Sequence, residues 1–154
     1  MNGGNCQNCA NSPWVQEANQ FIRNNRANAA RRAHVTTIEF LLKNGCCGIN
    51  NRTSIYSILQ HLGQQNIYMS REEFQNQVLV ELKREGVVAT LVYPGPQGGV
   101  FIPCDQNDLR IVATQLIGRV VQELANLEGT ARQTQLRNMI TPLRRRAESV
   151  RRRI

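Results

Sequence analysis

The residues with the most marked chemical character in this chain are its five cysteines. Cys6 and Cys9 form a C-x2-C pair, and Cys46 and Cys47 stand side by side. Four thiolates make a complete tetrahedral ligand set for Zn(II). Adjacent cysteines chelate a single ion poorly, however, and no second C-x2-C follows. Cys6, Cys9, Cys46 and Cys47 are therefore weak metal candidates. The plainer account is a loose N-terminal dithiol and a loop of small residues, with neither metal nor cofactor expected. Cys104, at the exit of a β-prone stretch, reads as structural. An odd number of cysteines behind a start that is neither basic nor apolar reads as reduced thiols of the cytoplasm.

Catalysis finds little support. The two histidines, His34 and His61, fall on helical patterns with no carboxylate pair close in sequence. No nucleotide-binding fingerprint, nucleophile elbow or H-E-x-x-H helix occurs. Gly95, Gly98 and Gly99 are not followed by a helix start that would complete a phosphate cradle. The chain is expected not to be an enzyme.

Charge points elsewhere. The formal net charge is +8 over 154 residues, and residues 131–154 alone hold eight arginines against one glutamate. Arg144, Arg145 and Arg146 head a stretch suited to phosphate, which guanidinium meets with two parallel hydrogen bonds. A solvated, solubilising end is the bland alternative. A membrane-surface helix is disfavoured because the tail lacks Trp and Phe, and no apolar run of about 18 residues exists to span a bilayer.

These side chains must be carried by a scaffold, and its elements are readable. Residues 1–13 are Asn- and Gly-rich and are expected to be mobile. Trp14, Ala18, Phe21 and Ile22 begin a helix that falters in the apolar-poor stretch before His34. Val35, Ile38, Leu41 and Leu42 resume the helical spacing up to an Asn44-Gly45 stop. Ile55, Ile58, Leu59 and Leu62 form a short helix closed by Gly63. Ser70 and Glu73 make a capping box, a specific helix start, and Gly86 supplies the stop.

Two β-prone arms follow, "VVATLVY" and "VFIP", around the tip "PGPQGG". The tip's prolines fix φ while its glycines allow positive φ. From Asp105 a long helix carries Leu109, Val112, Leu116, Val120, Leu124 and Leu127 in one stripe, widened by Ile111, Ile117 and Val121. Gly129 is expected to end it. Pro142 should kink or restart the amphipathic, arginine-rich stretch beyond.

On a helical wheel at 100° per residue, Phe74, Val78 and Leu82, flanked by Leu79, face inward. Glu73, Asn76, Gln77, Val80, Lys83 and Arg84 face outward. Asn and Gln can read adenine, Val can touch a thymine methyl, and Lys and Arg can take guanine or phosphate. An ordinary solvated face carries the same pattern, so context must decide.

Over roughly residues 34–104 the order of elements resembles the winged helix-turn-helix superfamily. The resemblance implies a mainly α fold with a β-hairpin (α+β). Residues 1–13 would precede a domain at 14–104, then a long helix at 105–129 and an arginine-rich helix or tail at 130–154. It implies a recognition helix over 70–86 in the major groove and a wing tip over 93–99, including Gln97 and Gly98, on the backbone or minor groove. Arg52, Thr53 and Ser57 would touch phosphate. The tip departs from many wings in lacking Arg or Lys.

The expected function is sequence-specific binding of double-stranded DNA by a transcriptional regulator. It would be cytoplasmic (nucleoid-associated if bacterial, nuclear if eukaryotic), with a homodimer formed through 105–127. A protein-docking or assembly subunit is the alternative, and RNA binding through the arginine tail a further one.

Overall fold

A computed structural model describes residues 6–91 and 98–154. The fold is the expected α+β class, mainly helical with a two-stranded antiparallel hairpin and a long C-terminal helix. The chain divides into a unit ending at Asp108 and a second running from Leu109 to Ile154.

In the first unit, α1 (Pro13–Asn25) starts where Ser12 accepts the Val15 N–H and proline occupies the first turn. Its buried face is Val15, Ala18, Phe21 and Ile22. After a 3-10 turn at Ala29–Arg31, α2 (Arg32–Lys43) buries His34, Val35, Thr37, Ile38 and Leu41. Gly45 then takes a left-handed φ of 67°. α3 (Ile55–Gln64) buries Ile58 and Leu62. It runs past Gly63, which had been expected to end it. Asn66, with φ 61°, is the left-handed residue instead; its N–H reaches the Gly63 carbonyl, and the Ile67 N–H reaches that of Leu62. Asn tolerates this conformation better than most side chains, so a glycine is not needed there.

α4 covers residues 71–84, opened by both halves of the Ser70–Glu73 capping box. Its middle, Phe74–Leu79, is a π-helix, in which the Val80 N–H donates to the Gln75 carbonyl five residues back. Phe74, Val78, Leu79 and Leu82 are buried, as the wheel had indicated. Gly86 (φ 74°) and Val87 cap the last turn through bonds to the Lys83 and Leu82 carbonyls.

β1 (Ala89–Leu91) pairs with β2 (Gly99–Phe101), Thr90 opposite Val100. A third segment joins them: Thr53 and Val100 exchange both backbone hydrogen bonds, at 2.9 and 2.8 Å. Gly99 is required by this crossing, because a Cβ there would lie 2.7 Å from the Thr53 carbonyl oxygen.

The N-terminal segment departs from expectation. From Cys6 it forms a 3-10 turn (Gln7–Cys9) fastened by disulfides Cys6–Cys47 and Cys9–Cys104, which leaves Cys46 as the free, buried thiol. The reading of five reduced thiols is corrected accordingly. Composition shows that the segment has little to bury, but cross-links formed over 41 and 95 residues of separation leave no mark in local sequence.

α5 (Gln106–Thr130) begins in the first unit. Asp105 accepts the Asp108 N–H, while the buried Asp108 carboxylate accepts from the backbone N–H groups of Cys104 (2.8 Å) and Ile49 (3.2 Å). Asp108 thus ties two loops to the helix start.

In the second unit α5 and α6 (Thr134–Arg153) form a helical hairpin. Arg144 donates to both oxygens of Glu128 and, at 2.8 Å, to Glu148. Gly118 faces the Arg151 guanidinium at the other end of the pair. Gly118, Val121, Ala125 and Glu128 thus share the inner face of α5, with Ile140, Arg144 and Ala147 on that of α6. Val121, Ile140 and Ala147 are buried, whereas Leu116, Val120, Leu127, Met139 and Leu143 are exposed. Pro142 neither starts nor ends a helix: α6 runs through it, with the proline on the exposed side. Gly129 lies one residue inside the end of α5 rather than beyond it.

Candidate nucleic-acid interface

α4 and the hairpin enclose a groove of about 440 Å³. Arg71, Gln75, Asn76, Leu79, Val80 and Lys83 line it from α4, Ser54, Ile55 and Tyr56 from the start of α3, and Thr90, Leu91 and Gly98–Val100 from the hairpin. No carboxylate is among the described lining residues, and Arg71 and Lys83 are both cationic. The groove thus offers two positive charges, two amide side chains and an apolar floor, the combination needed for a polyanion carrying base edges.

Asn76, Val80, Lys83 and Gly98 of the expected set come together here. Gln77 and Arg84 do not line the groove, although both are exposed. The π turn explains the difference. The i→i−5 bond widens the helix and brings Gln75 onto the face of Val80, while the Gln77 carbonyl turns toward α2 and accepts from His34 Nε2 at 3.0 Å. A wheel at 100° per residue misplaces one residue across such a turn. Arg71 and Gln75, the lining residues missed, carried no signal beyond their polarity. Tyr56, 69% exposed, did: a large aromatic on the outer face of a short helix is unusual packing.

α4 is braced from behind. His34 is buried on α2 and its Nε2 also meets the Glu81 carboxylate at 2.8 Å. Arg31 bridges to Glu85 at 2.7 Å and to Glu81 at 3.9 Å. His34 thus has a carboxylate neighbour that sequence separation concealed. The braces hold α4 by its C-terminal half and leave the groove side open.

The other expected phosphate contacts are differently employed. Arg52 donates to the Ile49 carbonyl at 2.9 Å, Thr53 spends its backbone on Val100, and the Ser57 hydroxyl meets that of Ser54. None of the three lines the groove. Gln97 and the rest of the tip over 93–97 lie outside the described residues. In the tail, Arg145 and Arg146 are exposed, while Arg144 is held by Glu128 and Glu148. Its partnership keeps the Glu128 carboxyl below the ordinary carboxylate range and raises Arg144 further. The four expected zinc candidates do not assemble either, since Cys46 is separate and Cys104 stands in its place. Among the described residues no helix is long and apolar enough to cross a membrane.

The helices α2, α3 and α4, a strand segment at Thr53 and a hairpin with an open groove beside α4 define a winged-helix-like fold. The chain is 43% identical over 144 residues, covering 91% of its own length and 88% of the other's, to a Methanocaldococcus jannaschii protein described as "Putative control protein C.MjaVP". It belongs to the family of that protein. No family model matches the chain, and no solved structure does.

Proposed function

We propose that this protein is a sequence-specific double-stranded DNA-binding regulator of transcription that acts without catalysis. The observation that carries the reading is the groove itself: amides and cations on α4 stand beside a hairpin, with no lining carboxylate. The relative's description as a control protein agrees with it. α4 enters the major groove, where Asn76 and Gln75 read base edges, Val80 meets a methyl, and Lys83 and Arg71 take guanine or phosphate. The wing lies along the backbone. Exposed arginines of α6, such as Arg145 and Arg146, add non-specific phosphate attraction.

The exposed apolar rows of α5 and α6 support a homodimer whose two α4 helices read half-sites about one DNA turn apart. They equally favour a second reading, a docking or assembly subunit, because Leu116, Val120 and Leu127 are left uncovered. Ile117 and Val121, which widen the stripe, are poor probes of docking: Val121 is buried and Ile117 only partly exposed.

The test is selection of the purified chain on a randomised duplex pool at two salt concentrations, beside a variant with Arg145, Arg146 and Arg151–Arg153 changed to glutamine. A motif enriched by both proteins supports specific readout by helix and wing. Salt-sensitive binding without a motif, lost in the variant, leaves only non-specific retention of nucleic acid, RNA included. Absence of binding refutes the regulator and leaves the docking subunit.

A further inference from the structure

Two disulfides, Cys6–Cys47 and Cys9–Cys104, start from one turn of the first unit and so bring four of the five cysteines together. Cys6 and Cys9 sit three residues apart on a single turn, closed by the Cys9 N–H to the Cys6 carbonyl at 2.9 Å. Cys6 holds an uncommon left-handed conformation at φ 50°. Such a turn presents both side chains of a C-x2-C in one direction. Opposite them, Cys47 bridges to Ile102, and Cys104 follows two residues later. A Cβ on Gly48 would lie 3.7 Å from the Cys104 Cβ. The backbone of this second pair is fixed by the Gly48 N–H on the Ile102 carbonyl and by Asp108 on the Cys104 N–H. Ser12 adds a bond from its hydroxyl to the Pro103 carbonyl at 2.8 Å, pressing the C-x2-C turn onto the 103–104 segment. Cys6, Cys9 and Cys47 are buried.

With the thiols paired as disulfides, no group of three or more His, Cys, Asp or Glu side chains among the described residues is open to a metal. We propose that the same four sulfurs, when reduced, form a tetrathiolate Zn(II) site made by Cys6, Cys9, Cys47 and Cys104, with the two disulfides as its oxidised alternative. The geometry permits the exchange. Cα separations of 5.5 and 5.1 Å join Cys6 to Cys47 and Cys9 to Cys104. Zn–S bonds of about 2.3 Å in a tetrahedron place sulfurs about 3.8 Å apart, so each sulfur need retreat only about 0.9 Å from ordinary disulfide contact.

Two molecules of a dithiol reductant each give two electrons and two protons to one disulfide, ending as disulfides themselves and leaving four protein thiols. Zn(II) then binds four thiolates and releases four protons. Either form fastens the N-terminal turn to the domain. Cys46 takes no part: it stands outside both pairs as a free, buried thiol.

The full chain, reduced with a phosphine under argon and freed of metal, should be titrated with Co(II) and then Zn(II). Expected is one Co(II) per chain with the visible bands of a tetrahedral sulfur site, bleached by one equivalent of Zn(II). The bands should be lost in Cys9→Ser and Cys104→Ser and kept in Cys46→Ser. Where the reduced, metal-free chain or a variant unfolds, far-ultraviolet circular dichroism decides: Zn(II) should restore helicity to the parent and to Cys46→Ser alone. No Co(II) bands in the reduced parent, no recovery on Zn(II), or bands kept in Cys104→Ser but lost in Cys46→Ser would each overturn the assignment.

Discussion

Replacing Gln75, Asn76 and Gln77 by alanine, one at a time, tests the register of α4 as well as its use. All three side chains are exposed, so each change should leave stability within about 0.5 kcal/mol. Gln75 and Asn76 line the groove and Gln77 does not. An amide that pairs with adenine through two hydrogen bonds discriminates by about 1–3 kcal/mol, about 5- to 160-fold in relative affinity. Asn76→Ala, and Gln75→Ala to a similar or smaller extent, should therefore flatten the preference at one base pair each. Gln77→Ala should leave the motif within about twofold. The assay is competition binding by fluorescence anisotropy on duplexes carrying the selected motif and every single-base change of it. Loss of preference in Gln77→Ala with Gln75→Ala unaffected would show that the helix presents a regular α-helical face to DNA. An unchanged motif in all three would refute the groove as the reading site.

Further outcomes follow from the same geometry. Lys83→Ala and Arg71→Ala should each lower the slope of log affinity against log salt by about 0.9 if the residue meets one phosphate, as measured by anisotropy across a salt series; an unchanged slope means no phosphate contact there. Phe74→Ala, which opens a cavity at a fully buried position, should cost about 3–5 kcal/mol in urea unfolding. Glu128 titrates below its ordinary range in the folded chain because Arg144 holds it. The stability it gives is present above the unfolded carboxylate pKa and lost as pH falls toward the lowered folded one. Melts between neutral and acidic pH should therefore show less acid destabilisation in Glu128→Gln than in the parent.

The first unit was largely legible because its signals are local. The Ser70–Glu73 box, the Asn44-Gly45 and Gly86 stops and the spacing of Phe74, Val78 and Leu82 each depend on neighbours within one or two turns. Illegible features depend on distance or on an irregular period. The sequence held no sign that Thr53 would pair with Val100, that His34 would meet Glu81, or that Cys104 rather than Cys46 would join the N-terminal pair. Gln75 was missed because a fixed 3.6-residue period cannot represent a π turn. The second unit shows the limit of an apolar stripe. Leu116, Val120 and Leu127 satisfied helical spacing yet lie exposed, while the inner face of α5 includes Gly118, Ala125 and Glu128, which no hydrophobic count selects.

The wide turn in α4 also bears on how this protein could change what it recognises. A π turn accommodates one residue more than the α-helical path requires. Deleting a single codon within 74–79 would let the helix close into regular α geometry with the residues on either side still in register, because the wide turn had already absorbed the extra residue. Arg71, Lys83 and the capping box would keep their places, as would the Leu82 anchor and the braces to Glu81 and Glu85, and only the groove residues within the turn would be reset. A length change of one residue at that turn would therefore act on the amide pair Gln75 and Asn76 while sparing the cations and the braces on either side.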